Sequence, residues 1–197
     1  MKLKQTILLL SVFFTFISAN SQEDHVHSIG IRTGYGFITT HNSTMLFFTN
    51  QPIPKLELTY ERLNTRTKPW EKEYAHGNWG VGFAHFNFQN GIIGNAYSIY
   101  PYMNLKIAGN KRLRWNFRGS IGMGYITKPF DEKTNYKNSA IGSNINLYFS
   151  FLTELSYRLT DLVSINTAAD FSHFSNTSYK KPNLGINIPS INVGFDY

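Results

Sequence analysis

Hydrophobic and polar residues alternate along much of this chain with a period of two. Within the segment Arg112–Tyr125, aromatic and aliphatic residues fill most odd-numbered positions, while arginine, asparagine, serine and glycine fill the even-numbered ones. The segment Asn144–Leu159 follows the same pattern. Successive side chains of a β-strand point to opposite faces of its sheet, so this alternation predicts strands with one apolar and one polar face.

Six further segments show the same alternation less regularly, which brings the predicted number of strands to eight. The predicted strands are Ser28–Ile38, Lys55–Leu63, Asn78–Phe88, Tyr97–Ala108, Arg112–Tyr125, Asn144–Leu159, Val163–Phe174 and Ile188–Tyr197. Strands of about nine to eleven residues suit a tilted crossing of a membrane. Most connections after odd-numbered strands are longer than the turns at 109–111 and 160–162, although Asn64–Gly77 breaks this rhythm. We therefore predict an all-β fold, an eight-stranded antiparallel transmembrane β-barrel with short periplasmic turns and longer outer loops.

The composition favours a membrane barrel over a barrel dissolved in water. Aromatic residues make up 16% of the chain and charged residues only 16%, whereas soluble domains usually carry about 25% charged residues. Aromatic residues accumulate where membrane strands cross the lipid interfaces. Alternation alone does not say which face points inward. A soluble eight-stranded barrel with its apolar face inside, around a small ligand, is therefore the alternative.

The N-terminal segment has the features of a secretory signal. Lys2 and Lys4 precede the apolar stretch Ile7–Ala19, and small residues lead to a cleavage site after Ser21. We expect residues 1–21 to be a cleaved signal peptide and residues 22–197 to form the barrel domain. Export removes the opportunity to bind nucleic acid, and the chain has no cysteine for a disulfide.

The end of the seventh predicted strand carries the best candidates for chemistry. His173 and Ser175 are two residues apart, so their side chains lie on one face of the strand, where the imidazole can reach the serine hydroxyl. A serine hydroxyl becomes a nucleophile when an adjacent base takes its proton. Asn176 follows, and its side-chain amide could donate to an oxyanion. The pair shares the apolar face of this strand, which on the membrane-barrel interpretation faces lipid near one membrane boundary.

The histidines do not indicate a metal site. Apart from His173, they are scattered over separate segments without a recurring spacing of metal ligands; they are His25, His27, His41, His76 and His85. We expect neither a metal nor a cofactor.

Several motifs resemble the lipid A 3-O-deacylase (acyloxyacyl hydrolase) family of outer-membrane barrels. They are His173-Phe174-Ser175-Asn176, Lys181-Pro182-Asn183-Leu184-Gly185, Ile93-Gly94-Asn95-Ala96-Tyr97-Ser98-Ile99-Tyr100-Pro101 and Ser139-Ala140-Ile141-Gly142-Ser143. The resemblance implies an eight-stranded barrel in the bacterial outer membrane and metal-free serine hydrolysis of an acyl ester of lipid A. It implies Ser175 as nucleophile, His173 as base and Asn176 at the oxyanion. It also gives a second meaning to Lys180 and Lys181, which are either solvated loop charges or attract the phosphates of lipid A.

The chain departs from the family pattern at one position. Asn187 stands where the pattern has a glutamate that orients the histidine. An amide oxygen can also accept a hydrogen bond from an imidazole N–H and fix its tautomer. Either Asn187 orients His173, or a carboxylate such as Asp170 or Glu154 does so from elsewhere.

Two classes of function follow from the sequence. The first is an outer-membrane serine esterase, a lipid A deacylase whose partners are its lipopolysaccharide substrate and the membrane. The alternative is a small structural or adhesive barrel without catalysis. Within the first class, an acyl esterase that acts on phospholipid instead of lipid A is a third possibility. The aromatic C-terminal segment Val193–Tyr197 resembles the closing strand by which the barrel-assembly machinery recognises its clients, so that machinery is a further expected partner for insertion.

Overall fold

The chain forms eight β-strands joined by turns and loops. The computed structural model describes residues 27–40, 45, 51–64 and 77–197. The strands are β1 (His27–Gly36), β2 (Ile53–Arg62), β3 (Gly77–Asn87), β4 (Asn95–Gly109), β5 (Leu113–Ile126), β6 (Ile145–Arg158), β7 (Ser164–Ser175) and β8 (Ile186–Asp196). The predicted signal peptide and most of Asn64–Gly77 lie outside the described residues. Within the described part of the chain, no helix is long and apolar enough to cross a membrane.

The strands close into one antiparallel barrel. Each strand pairs with the next along the chain, and β8 returns to pair with β1, where Gly30 lies opposite Asp196. The predicted eight-stranded antiparallel barrel is confirmed, and the strand ends lie within two residues of the predicted ones. β7 extends one residue beyond its predicted end and includes Ser175.

The apolar face of the barrel points outward. Along β5, Trp115 and Phe117 are exposed, whereas the alternate residues Asn116 and Arg118 are buried inside the barrel. The same alternation runs through the other strands, including β6 and β7. A soluble barrel would bury its apolar face, so the soluble alternative is wrong. An outer wall of exposed apolar and aromatic side chains is what a membrane barrel presents to lipid.

Charged side chains form paired clusters inside the middle of the barrel. Lys55 Nζ lies 2.5 Å from Asp170 Oδ2. Arg32 Nη2 lies 2.5 Å from Glu154 Oε2, and Arg118 binds Glu57. A buried charge is costly unless a partner of opposite sign compensates it. These pairs therefore allow the lumen to be filled with polar side chains, as in other small barrels.

The interior differs between the two ends of the barrel. The loops after β1, β3, β5 and β7 lie at one end of the barrel, hereafter the long-loop end. Buried aromatic and aliphatic side chains fill the lumen there, with Phe86, Tyr148 and Phe174 in mutual ring contact. Toward the short turns lies a polar cavity of about 300 Å³, lined in part by Arg32 and Glu61. This buried apolar cluster, hereafter the apolar plug, fills the lumen at the end of the barrel where β7 terminates.

Candidate active site

His173 lies on the outer wall of the barrel near the long-loop end. In the register of the sheet it stands between Phe149 of β6 and Asn187 of β8. Its ring stacks on Phe149 with centroids 4.6 Å apart, and Nδ1 lies 2.5 Å from Asn187 Oδ1. Because a carbonyl oxygen can only accept, His173 donates through Nδ1–H. In the neutral imidazole, a hydrogen on Nδ1 leaves Nε2 without a proton, which is the state that a general base requires.

Asn187 is itself held in place, and the alternative carboxylates are not available to His173. The backbone N–H of Thr39 donates to the carbonyl of Asn187 at 3.0 Å. Asp170 and Glu154 are buried inside the barrel, where Lys55 and Arg32 neutralise them. They therefore lie on the opposite side of the wall from the imidazole. Of the three candidates that the sequence left open, Asn187 is the one in contact with His173.

Gly185 makes room for the imidazole. A Cβ at this position would lie 2.8 Å from His173 Cε1, closer than side-chain carbons approach in real proteins. Gly185 also has a φ of +76°, in the left-handed region that L-residues with side chains rarely adopt. Both features restrict this position to glycine and seat the loop backbone against the edge of the ring.

Ser175 lies on the same face of β7 as His173 but is bonded to other groups. Its Oγ accepts a hydrogen bond from Asn183 Nδ2 at 3.1 Å and lies 3.3 Å from the backbone N of Thr177. The described hydrogen bonds of His173 and Ser175 lead to different partners, so the two side chains are neighbours on one face without a direct bond. In enzyme structures without substrate, hydrogen bonds of this kind are often long or poorly aligned and tighten when substrate binds.

The chain turns sharply just after Ser175. Thr177 and Ser178 have φ values of 53° and 66°, which are unusual for residues other than glycine. Asn176 stabilises this turn, because its Oδ1 accepts from Ser178 N at 3.0 Å and its backbone carbonyl accepts from Thr177 Oγ1 at 2.7 Å. The turn directs the N–H of Thr177 toward the Ser175 hydroxyl.

The side chain of Asn176 is engaged in the loop and is 1% exposed. Its Nδ2 donates to Ser143 Oγ at 3.0 Å and to the carbonyl of Lys180 at 2.6 Å. Both amide hydrogens are thus used away from Ser175, and this geometry does not support the predicted oxyanion role of the Asn176 amide. Asn183, which the sequence offered only as part of a motif, contacts Ser175 directly. Its Nδ2 lies 3.1 Å from Ser175 Oγ, and its Oδ1 accepts from Asn176 N at 3.0 Å and from the Ser175 hydroxyl at 3.3 Å.

The other histidines lie apart from this site. His25, His41 and His76 fall outside the described residues. His27 Nδ1 meets the hydroxyl of Tyr60 at 2.7 Å, and His85 stacks on Tyr97. Among the residues that the structure describes, no three His, Cys, Asp or Glu side chains are grouped as metal ligands. Lys180 and Lys181 are exposed in the loop that follows Ser175.

Comparisons with known proteins give a family model and several similar barrel structures. The family model described as "Lipid A 3-O-deacylase (PagL)" matches residues 56–196, more than half of the chain. Among solved structures, the outer membrane enzyme PagL aligns at 16% identity over 85% of this chain and 97% of its own, with a TM-score of 0.51. Neisserial surface protein A (NspA) aligns at 8% identity over 86% of this chain and 95% of its own, with a TM-score of 0.60. A search of curated proteins gives no match. The two structural similarities establish the barrel fold.

Proposed function

Because this chain belongs to the lipid A 3-O-deacylase family and is a barrel of the bacterial outer membrane, we propose that it is a serine esterase that removes an ester-linked acyl chain from lipid A. One observation carries the proposal. Ser175 and His173 share the lipid-facing side of β7 at the long-loop end, and Asn187 holds the imidazole in the tautomer of a base. Long loops are the outer ends of such barrels, and lipid A lies in the outer leaflet.

The reaction proceeds through an acyl-enzyme. The Ser175 side chain turns from Asn183 toward His173, and Nε2 takes the hydroxyl proton as Oγ bonds to the ester carbonyl carbon. The tetrahedral intermediate collapses, the bond to the sugar oxygen breaks, and that oxygen takes the proton from the imidazolium. Water then attacks the acyl-enzyme with His173 again as base, releasing the fatty acid and restoring Ser175.

We assign the oxyanion to donors that already converge on Ser175. Asn183 Nδ2 lies 3.1 Å from Ser175 Oγ, and the backbone N of Thr177 lies 3.3 Å from it. When the Ser175 side chain turns away, these two donors face the space where the carbonyl oxygen develops charge. Preorganised donors of this kind contribute strongly to acyl transfer. They replace the Asn176 amide in the mechanism.

The surroundings of Ser175 suit a lipid with a charged head. Leu147, Phe149 and Phe171 lie beside or below the pair on the outer wall, where an acyl chain can run down into the bilayer. Lys180 and Lys181 stand exposed above it, where they can attract the phosphates of lipid A. We also propose that the closing strand β8 is read by the barrel-assembly machinery during insertion.

The direct test is fatty-acid release by the purified, refolded protein. Vesicles containing lipid A should yield a free fatty acid, and activity should persist in EDTA, because the mechanism uses no metal. Matched phospholipid vesicles without lipid A should yield little. Release from phospholipid at an equal rate would reassign the substrate, and no release from either lipid would contradict the esterase.

The role of Asn187 can be measured through the pH dependence of the rate. Asn187→Ala removes the acceptor that orients His173, so kcat should fall while KM stays near its wild-type value. Asn187→Glu adds a negative charge that stabilises the protonated imidazole. The acid limb of the pH–rate profile should therefore move to higher pH, with the plateau rate equal or higher. Coincident profiles for the wild type and both variants would show that Asn187 does not orient the base.

Asn183→Asp isolates the oxyanion donor. The carboxylate keeps an oxygen to accept from Asn176 N, but it replaces the Nδ2 donor with a charge that repels the oxyanion. We expect kcat to fall by about 10²–10³-fold, the usual effect of losing one such donor. Asn110→Asp in the short turn before β5 makes the same change at the opposite end of the barrel, where Oδ1 accepts from the N–H groups of Arg112 and Leu113. Equal rates for the two variants would remove Asn183 from the mechanism.

A further inference from the structure

The segment 140–143 of the loop between β5 and β6 packs beneath the loop that carries the proposed oxyanion donors. The carbonyl of Ala140 accepts from Gly185 N at 3.1 Å, and Ile141 forms an isolated β-bridge with Asn183. At the end of the segment, Ser143 Oγ accepts from Asn176 Nδ2 at 3.0 Å. All four residues of the segment are buried. Contacts of Ala140, Ile141 and Ser143 thus join this segment, hereafter the platform, to residues 176–185 after Ser175, hereafter the nucleophile loop.

Gly142 is the point of closest approach between the platform and the nucleophile loop. A Cβ on Gly142 would lie 2.6 Å from the carbonyl oxygen of Lys181 and 2.9 Å from that of Lys180. Those atoms are backbone, so they cannot rotate away as a side-chain end could. Any side chain at this position must push residues 180–181 outward.

The platform is fixed from its other side. Asn138 Oδ1 accepts from the N–H groups of Ala140 and Ile141 at 3.1 and 3.2 Å, and its Nδ2 donates to the carbonyl of Lys128 at 2.7 Å. Ala140 and Ile141 are fully buried in the apolar plug of the barrel. When the platform and the nucleophile loop are forced apart, the nucleophile loop is therefore the part that moves.

We infer that the platform positions the catalytic groups, with Gly142 and Ser143 acting as positioning residues; this inference rests on the proposed esterase function. Its three contacts reach the residues that control the reaction geometry. Asn176 directly follows Ser175, Asn183 donates to its hydroxyl, and Gly185 borders the His173 ring. The wall that would hold the acyl chain belongs to β6 and β7. Shifting the nucleophile loop should thus impair turnover more than substrate binding.

Gly142→Ala tests the inference, with Gly91→Ala as its control. Gly91 lies in the loop between β3 and β4, and a Cβ there would meet nothing within 4 Å. For Gly142→Ala we expect kcat to fall about ten- to hundredfold, as displacements near 1 Å can cause, with KM within about twofold of wild type. Covalent labelling of Ser175 by an alkyl fluorophosphonate should slow in parallel. Gly91→Ala should match the wild type in all three measurements.

A second variant keeps the test decisive if Gly142→Ala does not fold, as judged by heat-modifiable gel mobility. Ser143→Ala removes the acceptor for Asn176 Nδ2 without adding volume. We expect kcat to fall at constant KM, as for Gly142→Ala, but by a smaller factor. Suppose that the wild-type protein releases fatty acid and that folded Gly142→Ala, or Ser143→Ala in its place, has the same kcat as Gly91→Ala. This result would overturn the platform inference and leave the proposed esterase intact. A wild-type protein that neither releases fatty acid nor reacts with fluorophosphonate would overturn the esterase and the platform together.

Discussion

Ser175→Ala should abolish fatty-acid release from lipid A vesicles, and His173→Ala should do nearly the same. Removing either member of a nucleophile–base pair commonly reduces kcat by several orders of magnitude, because the two act as a unit. Neither change touches the lumen, so both variants should refold into barrels with normal heat-modifiable mobility. Because the two residues act together, the double variant should be hardly slower than either single one.

His85→Ala is the matched control for the histidine. His85 lies on the outer wall of β3 near the same end of the barrel, where it stacks on Tyr97 with centroids 4.9 Å apart and lies 3.2 Å from Asn95 Oδ1. Its ring environment thus resembles that of His173, but no serine stands two residues along its strand. Its removal should leave kcat unchanged. An active Ser175→Ala protein, or equal losses for His85→Ala and His173→Ala, would remove this pair from the mechanism.

The largest effect on stability is expected for Arg118→Gln. Arg118 and Glu57 are 3% and 0% exposed and form an ion pair inside the barrel, and Arg118 also lies over the Tyr102 ring at 4.8 Å. The substitution leaves the Glu57 carboxylate without its main counter-charge. We expect a loss of about 3–5 kcal/mol in the free energy of unfolding, as when one partner of a buried pair is removed. Urea titration of the protein folded into liposomes measures it.

Arg114→Gln is the control for that experiment. Arg114 lies four residues earlier on the same face of β5, but it is half-buried beside the polar cavity and reaches Ser156 Oγ at 3.5 Å. Its replacement should cost less than about 1 kcal/mol, as for exposed charges in water. Similar losses for both variants would show that the lumen is hydrated well enough to solvate Glu57 on its own.

The strands and their two faces could be predicted because a strand has a period of two along the sequence. Phe117 and Arg118 are adjacent in β5, yet one is exposed on the outer wall and the other is buried in the lumen. The same rule placed His173 and Ser175 together on the outer wall. Which face met the lipid could not be read from alternation, and the outward exposure of Phe117 answers that question.

The conformation of the loop after Ser175 could not be predicted from this period of two. Periodicity ends with the strand, and the conformation of this loop depends on contacts with residues far along the chain. Asn176 directly follows Ser175, but its amide turns inward to Ser143 of another loop. Asn183 lies eight residues beyond Ser175 and folds back onto it. Adjacency in sequence therefore pointed to the amide of Asn176, whereas the fold brings the amide of Asn183 to the Ser175 hydroxyl.

The partner of His173 depends on how β7 pairs with β8. Asp170 has the negative charge that Asn187 does not have. It lies three residues before His173, so its carboxylate points to the opposite face of the strand, into the lumen, where it binds Lys55. Asn187 reaches the imidazole because β8 pairs with β7 in a register that sets the two residues opposite each other. Strand register depends on pairing across the sheet, which no single strand encodes.

The most direct test of the account is mass spectrometry of lipid A from cells that express the wild-type protein, the Ser175→Ala protein or neither. With the wild type, lipid A should lose the mass of one ester-linked acyl chain, and the corresponding free fatty acid should accumulate. Lipid A from Ser175→Ala cells should match that from cells without the protein. Unchanged lipid A in the presence of folded wild-type barrel, at the outer membrane, would contradict deacylation and favour a structural or adhesive barrel.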